Sequence, residues 1–312
     1  MPRARTTAVR TAVVVMTSLA LAACTGGSGD GSAVATGDPA VCPGHVVDVV
    51  VSVSQWGDVA GALGGDCATV TTIVASAAID PHDFSPSTAD LTAFSRADVV
   101  VLNGAGYDTW AADAVGTLDP KPALVSAAVT ADVEQGANPH LWYDPATVQA
   151  TAAAITAELT ALSPGAADYL AGRAAAWQAE LAPYLAAVDS LHAAAAGRTY
   201  AATETVFDYM AAAVGLTDVT PEGYRRASSN HSDPAPGDLV AFEAALVNGT
   251  VDVLIYNTQT SGSVPDQLRA AADGAGVPVV EVSESPGDAK GSFVAWQLAQ
   301  LSKLSDALAE TP

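Results

Sequence analysis

"PGAADYLAGRAAAWQAELAPYLAAVDSLHAAAA", residues 164–196, is rich in alanine and leucine and almost free of β-branched residues, the composition of a helix. At 1.5 Å per residue it would reach on the order of 45 Å, more than one small lobe needs. It also divides the strand-like runs of the chain into an earlier and a later group. The segment therefore predicts one long helix joining two lobes, with Pro183 as a kink because it removes a backbone donor in mid-helix. If the helix ends at Pro183 instead, two lobes remain but the connection is less rigid.

On either side, short β-branched runs alternate with alanine-rich stretches of helical length. The strand candidates are "VVDVVVSV" (46–53), "TVTTIVA" (69–75) and "DVVVLNG" (98–104) before the long segment, and "RTYAAT" (198–203), "VDVLIYN" (251–257) and "VPVVEVS" (277–283) after it. Helices are expected at 56–64, 87–96, 145–162, 206–214, 237–248, 263–275 and 291–309. This order predicts an α/β protein of two lobes, each with a mainly parallel sheet flanked by helices, over residues 45–163 and 197–312 and joined by helix 164–196.

The N-terminus has the features of an export signal. Arg3, Arg5 and Arg10 precede the apolar run "TAVVVMTSLALAA", which is too short and too weakly flanked to span a membrane permanently. Its end, "LAAC" (21–24), resembles the bacterial lipobox, in which the cysteine becomes the lipid-bearing first residue of the mature chain. Residues 1–23 are then the signal and 24–44, opening on "TGGSGDGSAVATGDPA", a lipid-anchored flexible tether. Outside the cytoplasm the remaining Cys42 and Cys67 are most simply a disulfide. Loss of the signal leaves nine basic against 34 acidic residues, a formal charge of −25. That excludes nucleic-acid binding, which needs a basic face, and is compatible with a cationic ligand.

Ligands of open α/β sheets bind beyond the carboxyl ends of the strands, so polar residues just after each strand are the candidates. His82, in "AIDPHDFSPSTADL", follows run 69–75. His140, in "NPHLWYDP", precedes helix 145–162, with Asp144 as its N-cap. Glu204 follows run 198–203, and Glu284 follows run 277–283. Two come from each lobe, at equivalent topological positions. His45, His192 and His231 read as exposed or structural. Trp56, Trp142 and Tyr143 read as packing and shielding around the site, and Asn257 as a residue that bonds a ligand side chain.

The two Pro-His loops, "DPHDFSPSTADLTAFSRADVVVLNGAGYDTW" and "NPHLWYDP", resemble the metal-receptor family of ABC importers, the solute-binding proteins of zinc and manganese uptake. "ATETVFDYMAAAVGL", "DVLIYNTQTSG", "VPVVEVSES" and "WQLAQLSKLSDAL" resemble later parts of that family in order and spacing, so the likeness runs from about residue 46 to the end. Position by position it implies His82 and His140 as the first two metal ligands and Glu204, five residues before Tyr209, as the third. The family's fourth ligand is usually an aspartate in a Thr-Asp-Ser-like loop; here "SES" offers Glu284, with Asp288 as the alternative.

Two neutral imidazoles and two carboxylates balance a divalent ion, which makes its burial between lobes inexpensive. A shell filled by protein leaves no position at which water is activated, unlike a catalytic zinc. The chain has no HExxH, no GxSxG and no cysteine nucleophile. Imidazole suits zinc and a second carboxylate favours harder ions, so Zn2+ and Mn2+ are both expected cargoes, with Fe2+ behind them. The resemblance implies a monomeric, lipid-anchored extracytoplasmic receptor that delivers its metal to a membrane-embedded ABC permease and is not an enzyme. The other readings are a metal-dependent hydrolase, an adhesin-like surface lipoprotein, and a receptor for a small organic anion, the last of which would want Arg or Lys at the strand ends.

Overall fold

The ordered chain begins before residue 45. A computed structural model describes residue 1 and residues 32–82, 84–230, 232–260, 262–286 and 292–310. Within the stretch expected to be tether, Ala33–Ala35 forms a strand, β1. It is followed by β2 (Val47–Val53), α1 (Ser54–Gly64) and β3 (Ala68–Val74). β1 pairs antiparallel with β3, Ala33 opposite Thr72 and Ala35 opposite Val70. Small side chains carry little periodic signal; here the backbone ladder on an open sheet edge orders them. Gly37 then passes so close that a Cβ would meet the Asp66 carbonyl oxygen at 2.7 Å and Val46 Cγ1 at 2.8 Å. The Cys42–Cys67 disulfide forms and pins the same corner. Residues 2–31, which hold the rest of the signal, Cys24 and the start of the tether, lie outside the described residues.

The first lobe continues with α2 (Thr88–Arg96), β4 (Val99–Leu102), α3 (Thr109–Gly116), β5 (Ala123–Ser126), α4 (Ala127–Thr130) and α5 (Pro145–Leu162). Its sheet order is β1-β3-β2-β4-β5, parallel throughout except for β1. β2 is central, with Val50 between Thr71 and Val100, and buried at every position but Asp48, which is why it reads as a valine-rich run. Local chemistry sets the helix starts. Ser87 and Asp90 exchange bonds in a capping box at α2. Asp144 accepts from the amides of Ala146 and Thr147 at α5, and Pro145 occupies the first turn.

α6 (Ala167–Ala194) runs unbroken through Pro183, so the helix does not end there. The second lobe holds β6 (Thr199–Ala202), α7 (Asp208–Ala213), β7 (Thr217–Asp218), α8 (Glu222–Ser229), α9 (Pro236–Val247), β8 (Val253–Asn257), α10 (Ser263–Ala275), β9 (Val279–Val282) and α11 (Phe293–Glu310). Its sheet, β7-β6-β8-β9, is parallel throughout.

The long helix is a shared wall as well as a connector. Leu170, Trp177, Leu181, Tyr184, Val188 and Leu191 of α6 are buried, and α11 packs along it. One apolar core runs through both lobes, from the β2 and β4 valines by way of Trp142, Leu181, Tyr184 and Phe207 to Val280, Phe293 and Leu301. A smaller cluster of Tyr224, Phe242, Leu254 and Leu268 lies in the second lobe.

Candidate metal centre

The loops at the carboxyl ends of both sheets face one cavity of about 470 Å³. His82, His140, Glu204 and Glu284 all line it, which brings together the four residues singled out in the sequence. Asp288 and His231 lie outside the described residues. Among the described residues, no three His, Cys, Asp or Glu side chains are gathered at a spacing that would hold an ion. The donors share the cleft, and Glu204 Oε2, both Glu284 oxygens and His140 Nδ1 have protein hydrogen-bond partners.

The first lobe supplies the histidines. Asn103, at the end of β4, accepts from Trp56 Nε1 at 3.0 Å and donates to the Pro139 carbonyl at 2.8 Å, which fastens the loop before His140 to the sheet. Asn138 Oδ1 accepts from the His140 amide at 3.1 Å and lies 2.7 Å from His140 Nδ1. Its Nδ2 donates across to the Thr205 carbonyl of the second lobe at 2.8 Å, and Tyr209 donates to its carbonyl at 2.9 Å. His82 sits on an Asx turn in which its amide donates to Asp80 at 2.8 Å. Trp110 Nε1 donates to the Pro81 carbonyl at 3.0 Å. The Tyr107 ring lies edge-on to His82 at 4.8 Å between centroids. Tyr107 is placed by the turn that follows β4, where Gly104, Ala105 and Gly106 all take positive φ. The turn is gripped by the buried Asp108 carboxylate, which accepts from Ser52 and from the amides of Asn103 and Gly104 at 2.5, 2.7 and 2.8 Å.

The carboxylates come from the second lobe and share a donor. The buried Asn257 amide, at the end of β8, donates to Glu204 Oε2 at 2.5 Å and to Glu284 Oε1 at 2.8 Å. Glu284 Oε2 also accepts from Tyr107 at 3.2 Å and lies 3.8 Å from His140 Nε2. Burial, reinforced by the Glu204 charge, pushes the Glu284 carboxyl up to about 7, against the opposing bonds from Asn257 and Tyr107. Burial raises the Tyr107 hydroxyl as well, with the Glu284 charge adding to it. Arg225, the cation on the cavity wall, is bound to Asp208 at 2.8 Å and Asp218 at 3.1 Å. Those two pairs occupy the group that an organic anion would need.

Several expectations for neighbouring residues are refined. Trp142 and Tyr143 are fully buried and do not line the cavity. Trp142 packs edge-on against His140 at 5.4 Å, and the Tyr143 hydroxyl lies 2.7 Å from the Ser283 carbonyl oxygen and 2.6 Å from Gln300 Oε1, the two acceptors open to its one proton, beneath the Glu284 loop. Asn138, Tyr107, Gln55 and Gln259 carry site contacts that the sequence did not flag. Gln55 donates to the Glu284 carbonyl at 2.6 Å. Gln259 donates to the Ala77 carbonyl at 3.0 Å and accepts from the Ser285 amide at 2.9 Å. Asn138 had one available signal: it sits within the Asn-Pro-His motif itself.

Residues 49–307 match the family model described as ZnuA, zinc-uptake complex component A, periplasmic. The manganese-binding lipoprotein MntA of Halalkalibacterium halodurans is 31% identical over 142 residues, which are 44% of this chain and 47%, about half, of that protein. The high-affinity zinc uptake system protein ZnuA of Bacillus subtilis is 24% identical over 281 residues, 83% of each chain. Among solved structures, the periplasmic zinc-binding protein TroA of Treponema pallidum superposes with a TM-score of 0.71 at 19% identity, over 84% of this chain and 99% of that one. FpvC of Pseudomonas aeruginosa, in complex with Mn2+, gives 0.68 at 22% identity over 85% and 99%. At such identities the structures speak for the two-lobed α/β fold. The match along the sequence speaks for descent: the chain belongs to the ZnuA family, that of the periplasmic zinc-uptake complex component A.

Proposed function

We propose that this protein is the extracytoplasmic substrate-binding component of an ABC importer, capturing a divalent transition metal, Zn2+ or Mn2+, between its lobes and passing it to a membrane-embedded permease. The family is one of metal uptake rather than of enzymes. The ligands in this reading are His82, His140, Glu204 and Glu284. The observation that carries it is their convergence, two from each lobe, on one cavity at the carboxyl ends of both sheets. Neutral imidazoles and two carboxylates match the charge of a divalent ion, and ion binding would draw the carboxylates from the Asn257 amide into the cleft. Anchoring through lipidated Cys24 and a monomeric receptor complete the proposal.

Metal analysis of the purified mature protein, with competitive titration of Zn2+ and Mn2+, tests this. One ion per chain is expected, with binding strongly weakened in His140→Ala and Glu284→Ala. Unchanged stoichiometry and affinity in both variants would sink the ligand set. Because Zn2+ binds more tightly than Mn2+ at almost any nitrogen and oxygen site, Mn2+ is the cargo only if the measured ratio of affinities is outweighed by the relative availability of the two ions.

A further inference from the structure

We propose that Asn138 is a positioning residue that sets the metal-binding tautomer of His140 and ties it to the second lobe. The inference rests on the reading of His140 as a metal ligand. The orientation of the Asn138 amide is fixed by two bonds that do not involve the imidazole. Its nitrogen must point to an acceptor, the Thr205 carbonyl at 2.8 Å, and its oxygen must accept the His140 backbone amide at 3.1 Å. The oxygen then also faces His140 Nδ1 at 2.7 Å, so in the neutral ring Nδ1 carries the proton and donates. The lone pair is thereby assigned to Nε2, the nitrogen directed to Glu284 Oε2 at 3.8 Å. A metal can be taken only by a nitrogen with its lone pair available, and the partner of the other nitrogen decides which that is.

The same amide spans the two lobes. Thr205 is the neighbour of Glu204, so one side chain orients an imidazole of the first lobe and holds the backbone beside a carboxylate of the second. Tyr209, also from the second lobe, donates to the Asn138 carbonyl at 2.9 Å and Asn103 bonds the Pro139 carbonyl at 2.8 Å, which fixes the backbone on which this amide sits. A hydrophobic or glycine residue at 138 would leave the ring without its orienting acceptor and Thr205 without its donor.

The two duties of the amide are separable. Asn138→Asp keeps an acceptor for Nδ1–H and removes the donor to Thr205; Asn138→Ala removes both. The measurement is the nitrogen NMR spectrum of histidine-labelled, metal-free protein above the imidazole titration range, made tractable by only five histidines in the chain. His140 is assigned by the signal lost in His140→Ala. Wild type and Asn138→Asp are expected to show Nδ1–H, whereas Asn138→Ala shifts toward Nε2–H and binds metal roughly 10- to 100-fold more weakly. A His140 ring that stays Nδ1-protonated in Asn138→Ala, or that is Nε2-protonated in Asn138→Asp, overturns the inference. Metal binding that is unchanged in His140→Ala overturns the ligand assignment beneath it, and that failure is told apart because the tautomer is read without metal.

Discussion

Glu284 and His140 meet across the cleft, Oε2 to Nε2 at 3.8 Å, because the loop of Glu284 is fastened to the first lobe. Gln55 bonds the Glu284 carbonyl, Tyr107 its carboxylate and Tyr143 the Ser283 carbonyl. The site is therefore assembled by contacts of the protein with itself, and its carboxylate is kept in surroundings that disfavour charge.

That has a consequence for pH. The Glu284 carboxyl is raised from its ordinary 4.5 to about 7, so between these values the folded state binds a proton that the unfolded state releases. The stability this group contributes to the metal-free protein is complete below about 4.5 and is lost as pH rises through about 7. A bound cation selects the carboxylate and expels that proton, so metal affinity should fall as pH drops below 7. Calorimetry in buffers of differing ionisation enthalpy should find more protons released on metal binding near pH 6 than near pH 8. Equal release at both values would show that Glu284 does not titrate with the metal.

Asn257 separates Glu204 from Glu284 by donating to both. Asn257→Leu removes that donor and leaves the two half-buried carboxylates without their shared partner. The metal-free protein should lose about 2–3 kcal/mol of stability, read as a lower urea midpoint at constant slope. Added Zn2+ or Mn2+ should recover more stability in this variant than in wild type, because the ion satisfies the carboxylates that lost their shared donor. A destabilisation that metal does not relieve would mean that the carboxylates are not both ligands.

What the sequence disclosed follows from which forces leave a periodic trace. β2 and β8 were legible because strands buried on both faces must be continuously apolar, and α5 because Asp144 and Pro145 mark its start chemically. β5 was not legible: it lies at a sheet edge with Leu124 half exposed, and "KPALVSAAVT" reads as one more alanine-rich stretch. β1 was hidden for the same reason, since its order comes from backbone bonds to β3. Within the site, histidine and glutamate stood out by rarity and by their place after strands. Asn138, Tyr107 and Gln55 are ordinary polar residues whose meaning arises only when two distant loops meet.

The disulfide lies at the opposite end of the first sheet from the cleft, since Cys42 precedes β2 and Cys67 precedes β3, while the candidate ligands follow the strands. Replacing both cysteines with alanine should therefore cost stability without altering the site. With a sequence separation of 25 between the two cysteines, the chain-entropy contribution is about 3 kcal/mol. Thermal or urea unfolding should show that loss, and metal affinity should stay within about twofold of wild type. A large loss of affinity would mean that the strap from β1 to Cys42 transmits strain to the strand ends.

The extent of lobe movement can be argued from the core. Wide hinge opening would have to separate aromatic side chains that meet between the lobes: Tyr143 packs on Phe207 at 5.1 Å and on Trp296 at 5.8 Å, and Tyr184 and Leu181 of α6 are fully buried in the same cluster. Exposing a fully buried side chain of this size costs about 1.5–3 kcal/mol, so exposing three exceeds the few kcal/mol that separate populated conformers. α6 crosses between the lobes as one helix without a break to act as a hinge. Movement should instead be local, at the loop of residues 283–286, where Glu284 exchanges Tyr107 and Asn257 for the cation. Small-angle scattering of metal-free and metal-bound protein should give nearly equal radii of gyration, while hydrogen exchange around Glu284 slows on metal addition. A clear contraction on binding would show that the core between the lobes opens and that α6 does not act as a rigid wall.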